Sequence, residues 1–174
     1  MSKIQKQSKQ AILTTILFAA YLLALVWLIL FKLYPVIHGI AFGVRSVNLI
    51  PFYSSGGWSE VWENFAAFIP FGLFIGVLKP KWSLWNKLLP ILCTSLAFEL
   101  IQLAAGIGRS DITDLISNVL GGLLGIGIYA LLLRFFGHKA NTAVLIIILI
   151  FALIPLFVIG TIVLGRLGIR QVLR

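Results

Sequence analysis

Five long apolar stretches limit this chain to one class of fold. They run over 11–31, 61–78, 88–105, 112–133 and 143–164, and each is about as long as a membrane-crossing helix. About 20 apolar residues are needed to cross roughly 30 Å of hydrocarbon as an α-helix. We therefore predict an all-α, polytopic integral membrane protein with about five transmembrane helices.

The composition agrees with this prediction and excludes other classes. Apolar residues make up 60% of the chain and charged residues 11%, whereas soluble domains are about 45–50% apolar and about 25% charged. A net charge of +9 would suggest nucleic acid on a soluble protein. Here the basic residues lie between apolar runs, where they set topology and contact anionic headgroups. We expect membrane lipids, and no nucleic acid, as partners. The single cysteine, Cys93, can form no internal disulfide.

The distribution of Lys and Arg predicts a cytoplasmic N-terminus. In that orientation eight basic residues face the cytoplasm and three lie outside, before the C-terminal tail adds three more to the outside. Basic loops favour the cytoplasmic side. The first span is too long for a signal peptide and no small-x-small cleavage site directly follows Phe31, so we predict an uncleaved anchor. The basic tail is the weakest point of the five-span prediction: either the last span tolerates it, or the segment around Pro155 does not cross fully. We divide the chain into an N-terminal anchor over 1–31, a core over 32–133 and a C-terminal span with its tail over 134–174.

The polar residues of the apolar core converge on one side of the predicted membrane. Successive spans cross the membrane in opposite directions. The start of the second span, the end of the third and the start of the fourth therefore lie at the outer face. These regions and the first outer loop contain ten polar or charged residues: Arg45, Asn48, Glu63, Asn64, Glu99, Gln102, Arg109, Asp111, Asp114 and Asn118. Charged groups inside a membrane are costly and mark functional sites by default. We predict an outward-opening polar pocket.

Helical spacing sharpens this prediction. Asp111, Asp114 and Asn118 follow i+3 and i+4 spacing and share one helix face, which continues into the glycines at 121, 122 and 125. Small residues allow close helix approach, so the second, third and fourth spans are expected to pack through their glycines. Simpler roles remain open: an N-cap for Asp111, a helix-to-helix hydrogen bond for Asn64, and a structural salt bridge between Glu99 and Arg109.

Three chemistries fit these side chains. Glu99, Asp111 and Asp114 are candidate catalytic groups, and together they could hold a divalent cation as cofactor. The other candidates are ligand-binding residues, namely Arg45, Asn48, Asn64, Gln102, Arg109 and Asn118. The two arginines suit a lipid phosphate because guanidinium groups bind it bidentately, with Glu99 as a general acid or base. Alternatively, the pocket binds an envelope ligand without converting it. No Ser-His-Asp set or phosphate-binding P-loop is present.

The same residues carry a family resemblance. The motifs occur in one order: Arg45 and Asn48 with Pro51 and Phe52; Glu63 and Asn64 with Pro70 and Gly72; Glu99 and Gln102; Arg109, Asp111 and Asp114; and Asn118 with Gly121 and Gly122. This series resembles the VanZ-like family over about 45–129.

The resemblance implies a bacterial plasma-membrane protein, and the family's namesake is associated with resistance to the glycopeptide teicoplanin. We therefore expect a multi-pass protein that affects teicoplanin susceptibility or cell-envelope precursors by binding a lipid-linked or anionic ligand. Two alternatives remain: a membrane-embedded enzyme acting on a phosphorylated lipid, and a non-catalytic helper subunit of a membrane complex.

Overall fold

The structure, a computed structural model, describes residues 3–31, 44–53 and 57–150. Long helices dominate it and two short strands lie between them. In chain order the elements are α1 (Lys3–Phe31), β1 (Val44–Asn48), α2 (Trp58–Leu78), α3 (Leu84–Ala105), β2 (Ile107–Asp111), α4 (Ile112–Phe136), a 3-10 turn (Gly137–Lys139) and α5 (Ala140–Ile150).

The helices confirm an all-α polytopic membrane protein. Four of them are long and apolar enough to cross a membrane: Ala11–Ile29 within α1, and the whole of α2, α3 and α4. Many of their large apolar side chains are exposed, among them Leu23, Leu89 and Leu131. Soluble proteins rarely expose so continuous an apolar surface. The predicted fifth span starts within α5, and its part beyond residue 150 lies outside the described residues, as does the basic tail.

The glycines of α2 and α4 allow these two helices to pack in close contact. A Cβ atom at Gly121 would collide with the carbonyl oxygen of Phe65, and one at Gly125 with that of Ile69. One at Gly72 would likewise collide with the carbonyl oxygen of Gly122. We call this contact of Gly72, Gly121, Gly122 and Gly125 the glycine seam. It confirms the expected packing through glycines for α2 and α4, because only residues without a side chain permit such close backbones. Helix α3 has no glycine of its own, so for this helix the expectation was wrong.

Helix α3 packs on the other side of α4 and runs antiparallel to it. A Cβ atom at Gly122 would also meet the side chain of Ile91 on α3. Ser95 on α3 likewise contacts Asn118 on α4. The pairs 91 with 122 and 95 with 118 show that one helix ascends as the other descends. In the glycine seam, by contrast, α2 and α4 run parallel.

Aromatic side chains join α1 to α2. Phe18 and Tyr21 pack against Phe71 and Phe74, with ring centroids 5.1–6.3 Å apart. The Tyr21 hydroxyl donates a 2.6 Å hydrogen bond to the carbonyl of Ala67. Satisfying the polar end of a buried tyrosine in this way matters more in lipid than in water, because lipid offers no substitute partner.

Two short strands lie in the segments between the long helices. β1 and β2 pair in parallel, with Val44 opposite Ile107 and Asn48 opposite Asp111. Gly106 ends α3 in a left-handed conformation, φ 63°, which turns the chain directly into β2. Pairing satisfies backbone groups that would otherwise meet the membrane boundary without partners.

Candidate functional site

The polar residues meet at the membrane end where α3 finishes and α2 and α4 begin. Three carboxylates are buried there: Glu99 is 5% exposed, Asp111 4% and Asp114 3%. Glu99 accepts a 2.8 Å hydrogen bond at Oε2 from the backbone N–H of Asp111. This contact joins the last turns of α3 to the end of β2. Glu99 and Asp111 therefore meet in the structure, as the sequence predicted.

Asp111 is the N-cap of α4 and also holds the other strand. Its Oδ1 accepts from the backbone N–H of Thr113 at 2.8 Å, which is the usual capping contact. Its Oδ2 accepts from Nδ2 of Asn48 at 3.0 Å. Both carboxylate oxygens are thus used within the protein. The simpler role considered for Asp111, that of an N-cap, is confirmed.

Asn48 extends the network to the segment after β1. Its Oδ1 accepts from the backbone N–H of Ile50 at 3.2 Å, and its Nδ2 also donates to the carbonyl of Tyr53 at 2.6 Å. The hydroxyl of Thr113 accepts from the backbone N–H of Phe52 at 2.9 Å. Asn48, Glu99, Asp111, Thr113 and the neighbouring Asp114 are called the polar junction below.

Two buried amide side chains extend the polar contacts beyond the junction: Asn118 lies deeper, between α3 and α4, and Gln102 joins α3 to α1. Asn118 donates to the hydroxyl of Ser95 at 2.9 Å, and Gln102 donates to the carbonyl of Ile29 at 3.0 Å. Ile29 lies in the last turn of α1, where helical carbonyls lack helical partners, so Gln102 caps that helix. Among the described residues, Oε1 of Gln102 and Oδ1 of Asn118 accept no hydrogen bond. Each is a buried acceptor that a water molecule or a ligand hydroxyl could satisfy.

Four predicted site residues remain, two on α2 and two on the strands. Asn64 is buried on α2, whereas its neighbour Glu63 is exposed, so only Asn64 faces the interior. The backbones of Arg45 and Arg109 lie in β1 and β2, opposite Gly108 and Ser46 respectively. Their side chains lie outside the described parts, so a pair between Glu99 and Arg109 stays a prediction.

The cation hypothesis gains no support from the described side chains. Within residues 3–31, 44–53 and 57–150, no group of three or more His, Cys, Asp or Glu side chains is arranged to hold a metal ion. Glu99, Asp111 and Asp114 therefore do not form such a group. Instead, Asp111 and Glu99 accept hydrogen bonds from backbone and amide donors.

Sequence reasoning missed Thr113 and Ser95, which bond to Phe52 and Asn118. Ser95 stands four residues before Glu99, so the helical spacing of α3 carried a signal for it. Thr113 stands between two predicted carboxylates on α4 but off their face. Only the position of the segment after β1 gives its hydroxyl a partner.

Two comparisons with known proteins identify the family of this chain. A sequence model of the VanZ/LLP1 family matches residues 18–136. The chain is also 40% identical over 151 residues to Protein VanZ of Enterococcus faecium, covering 86% of this chain and 94% of that protein. The chain belongs to the VanZ/LLP1 family. No solved structure is significantly similar.

Membership of the VanZ/LLP1 family covers more than the motif region. The match begins inside α1 and ends at the last residue of α4, so the family unit includes the helix whose end Gln102 caps. The polar junction and the glycine seam both lie within it. The resemblance noted over about 45–129 is thereby confirmed and extended in both directions.

Proposed function

We propose that this VanZ/LLP1 family member alters the susceptibility of bacteria to teicoplanin by binding an anionic, lipid-linked envelope precursor. It does so at the extracytoplasmic end of its helix bundle, in the plasma membrane, with its N-terminus in the cytoplasm. Support for the phenotype comes from the similarity to Protein VanZ. Support for the orientation comes from the excess of Lys and Arg in the cytoplasmic segments.

The burial of three carboxylates in one junction carries this proposal. The chain has five acidic residues, and three of them, Glu99, Asp111 and Asp114, are buried at one membrane end. Placing a charged side chain at the centre of a membrane-spanning helix costs about 2.5–3.5 kcal/mol on insertion scales. Packing of apolar helices requires no such groups. A membrane protein that retains them at one end is therefore a strong candidate for having its functional site there.

The carboxylates position the arginines in this proposal. Glu99 holds the backbone N–H of Asp111, and Asp111 holds Asn48, so the two fix the ends of β2 and β1. These strands carry Arg109 and Arg45. Guanidinium groups bind phosphate bidentately. Arg45 stands opposite Gly108 and Arg109 opposite Ser46, so the two positions fall on opposite faces of the strand pair. We therefore assign the phosphate or pyrophosphate to Arg109, while the amides of Asn64, Gln102 and Asn118 serve the rest of the ligand.

Binding is tested by native mass spectrometry of the protein purified from bacterial membranes in a mild detergent. We expect a co-purified phosphate-bearing lipid that is lost in Arg109→Ala. The matched control is Arg134→Ala, because Arg134 lies in the last turn of α4 at the opposite membrane end. Retention of lipid by both variants, or its absence from the unaltered protein, would contradict the binding proposal.

The phenotype is tested in a teicoplanin-susceptible strain that expresses the protein. We expect the minimal inhibitory concentration of teicoplanin to rise with the unaltered chain and to fall back several-fold with Arg109→Ala. Immunoblots of membrane fractions must show equal amounts of the two proteins. An unchanged inhibitory concentration at equal protein levels would refute a role in teicoplanin susceptibility.

A membrane enzyme acting on a phosphorylated lipid is the second candidate, favoured by the burial of Glu99 beside β2. A carboxyl group shielded from water can act as a general acid or base. Glu99→Gln separates the two candidates, because the amide oxygen can still accept from Asp111 but the side chain no longer transfers a proton. An enzyme loses the phenotype while keeping its bound lipid. A binding protein keeps both.

A further inference from the structure

The segment directly after β1 folds into a tight turn with two different sides. Residues 49–53 are called the strap. The backbone N–H of Tyr53 donates to the carbonyl of Ile50 at 3.3 Å, with Pro51 and Phe52 at the two central positions. Phe52 has φ 60°. Proline followed by a residue with positive φ is typical of a type II turn.

The inner side of the strap is its backbone, which is bonded to the polar junction. Asn48 contacts the N–H of Ile50 and the carbonyl of Tyr53, and Thr113 accepts from the N–H of Phe52. Thr113 is fully buried at the start of α4. The strap is therefore fastened to β1 and to α4 by three hydrogen bonds.

The outer side of the strap consists of large exposed side chains. Leu49, Ile50, Phe52 and Tyr53 are between 51% and 73% exposed. The Phe52 ring stacks on Trp58, with centroids 6.1 Å apart and planes 20° apart. Trp58 and Trp62 share a face of α2 by i+4 spacing, and both are also exposed.

The backbone of Phe52 favours a role for this outer side. A positive φ is unfavourable for a residue with a Cβ atom, and glycine usually occupies this position of a type II turn. Here a phenylalanine occupies it instead, and its ring extends the aromatic surface of Trp58. The turn therefore carries an aromatic group where backbone geometry alone would favour none.

We propose that the strap, with Trp58 and Trp62, is inserted into the headgroup–acyl boundary of the lipid bilayer while its backbone remains fastened to the polar junction. The surface is continuous with α2, a helix long and apolar enough to cross the membrane. Trp and Tyr favour this boundary because their rings are apolar and their polar atoms reach water. The partner is the lipid surface, and the inference is independent of the ligand bound at the junction.

The depth of the strap can be measured by spin labelling in vesicles of phosphatidylcholine and phosphatidylglycerol. The native Cys93 is an exposed residue in the middle of α3 and gives the hydrocarbon reference. In a Cys93→Ala background, Lys81→Cys labels the exposed turn between α2 and α3 and gives the water reference. Ile50→Cys and Tyr53→Cys report on the strap.

We expect oxygen to relax the strap labels several-fold more effectively, relative to a water-soluble nickel complex, than it relaxes the Lys81→Cys label. The values should lie between those of the Lys81→Cys label and labelled Cys93, because the boundary lies between water and the hydrocarbon core. Strap values equal to the Lys81→Cys value would overturn the proposal. Strong dipolar coupling between strap labels on separate molecules would overturn it also, because it would assign this surface to a second copy of the chain.

The fastening is tested with two substitutions of Thr113 in the Ile50→Cys protein. Thr113→Val keeps the shape but removes the acceptor for Phe52, so we expect a more mobile label. Thr113→Ser keeps a hydroxyl and should restore the original spectrum. Equal label mobility in all three proteins, at matching gel-filtration profiles, would show that Thr113 does not hold the strap.

Discussion

The polar junction and the glycine seam both join α4 to its neighbours, but by different physical means. In the glycine seam, α4 contacts α2 because three glycines lack the Cβ atoms that would strike opposing carbonyls. In the polar junction, α4 is joined to α3 and β1 by hydrogen bonds of Asp111 and Glu99. The glycine seam depends on the absence of Cβ atoms, and the polar junction depends on the positions of a few hydrogen-bonding atoms.

This difference determines how each region tolerates substitution. A carbonyl in a helix cannot move aside without displacing the whole helix, so an added methyl group in the seam separates α2 from α4. A lost hydrogen bond in the junction leaves one donor or acceptor unsatisfied, and neighbouring groups or water can partly compensate for it. We therefore expect substitutions in the seam to have larger effects on stability.

The largest effect is expected for Gly125→Ala. Its Cβ would collide with the carbonyl of Ile69 and lie 3.0 Å from both the Cα of Gly72 and the backbone nitrogen of Leu73. Overpacking of this kind costs about 1–3 kcal/mol and more where the obstacle is rigid. We expect the free energy of unfolding in detergent, followed by circular dichroism during titration with dodecyl sulfate, to fall by at least about 2 kcal/mol.

The matched control for this prediction is Gly127→Ala. Gly127 lies two residues further along the same helix, and a Cβ there would meet nothing within 4 Å. Alanine is the better helix former by up to about 1 kcal/mol, so stability should stay the same or rise. Equal losses at the two positions would show that α4 tolerates no alanine, and that the seam has no special role.

An intermediate effect is expected for Asp111→Ala in the polar junction. The substitution removes the N-cap of α4 and the acceptor for Asn48. Loss of an N-cap alone costs about 0.5–2 kcal/mol, so we expect a total of about 1–3 kcal/mol in the same titration. Asn48→Ala should cost less, because it leaves the cap in place.

Asp111→Asn serves as the control, since an asparagine oxygen can still cap Thr113 while its amide cannot accept from Asn48. We expect its stability to lie between those of the unaltered protein and Asp111→Ala. If Asp111→Asn were as unstable as Asp111→Ala, then the cap would contribute nothing and the junction would depend on the negative charge.

The sequence was sufficient to predict the seam but only part of the junction. The glycines at 121, 122 and 125 stand at helical spacing in an apolar stretch, and this local pattern directly indicates a close helix contact. The gathering of polar groups at one membrane end also followed from alternate crossing. The N-cap role of Asp111 was one of the alternatives that its local sequence left open.

The paired strands could not be predicted in the same way. Asn48 and Asp111 are 63 residues apart, and two helices lie between them. Their register follows from how α2, α3 and α4 pack, which no local pattern specifies. For the same reason, the use of both Asp111 oxygens and the contact of Thr113 with Phe52 became visible only in the folded chain.

The smallest effect is expected for the buried hydrogen bond between Ser95 and Asn118, below the junction. Its strength is measured by a double-mutant cycle of Ser95→Ala and Asn118→Ala in the dodecyl sulfate titration. Interhelical hydrogen bonds in membranes average about 0.6 kcal/mol in such cycles, so we expect a coupling of roughly that size. The control cycle pairs Ser95 with Ser117, whose hydroxyl bonds to the Asp114 carbonyl of its own helix.

A coupling near zero for Ser95 with Asn118 would mean that only the junction itself joins α3 to α4 through polar contacts. A coupling above about 2 kcal/mol would place this deeper layer on a level with the seam and erase the contrast between hydrogen-bonded and close-packed contacts.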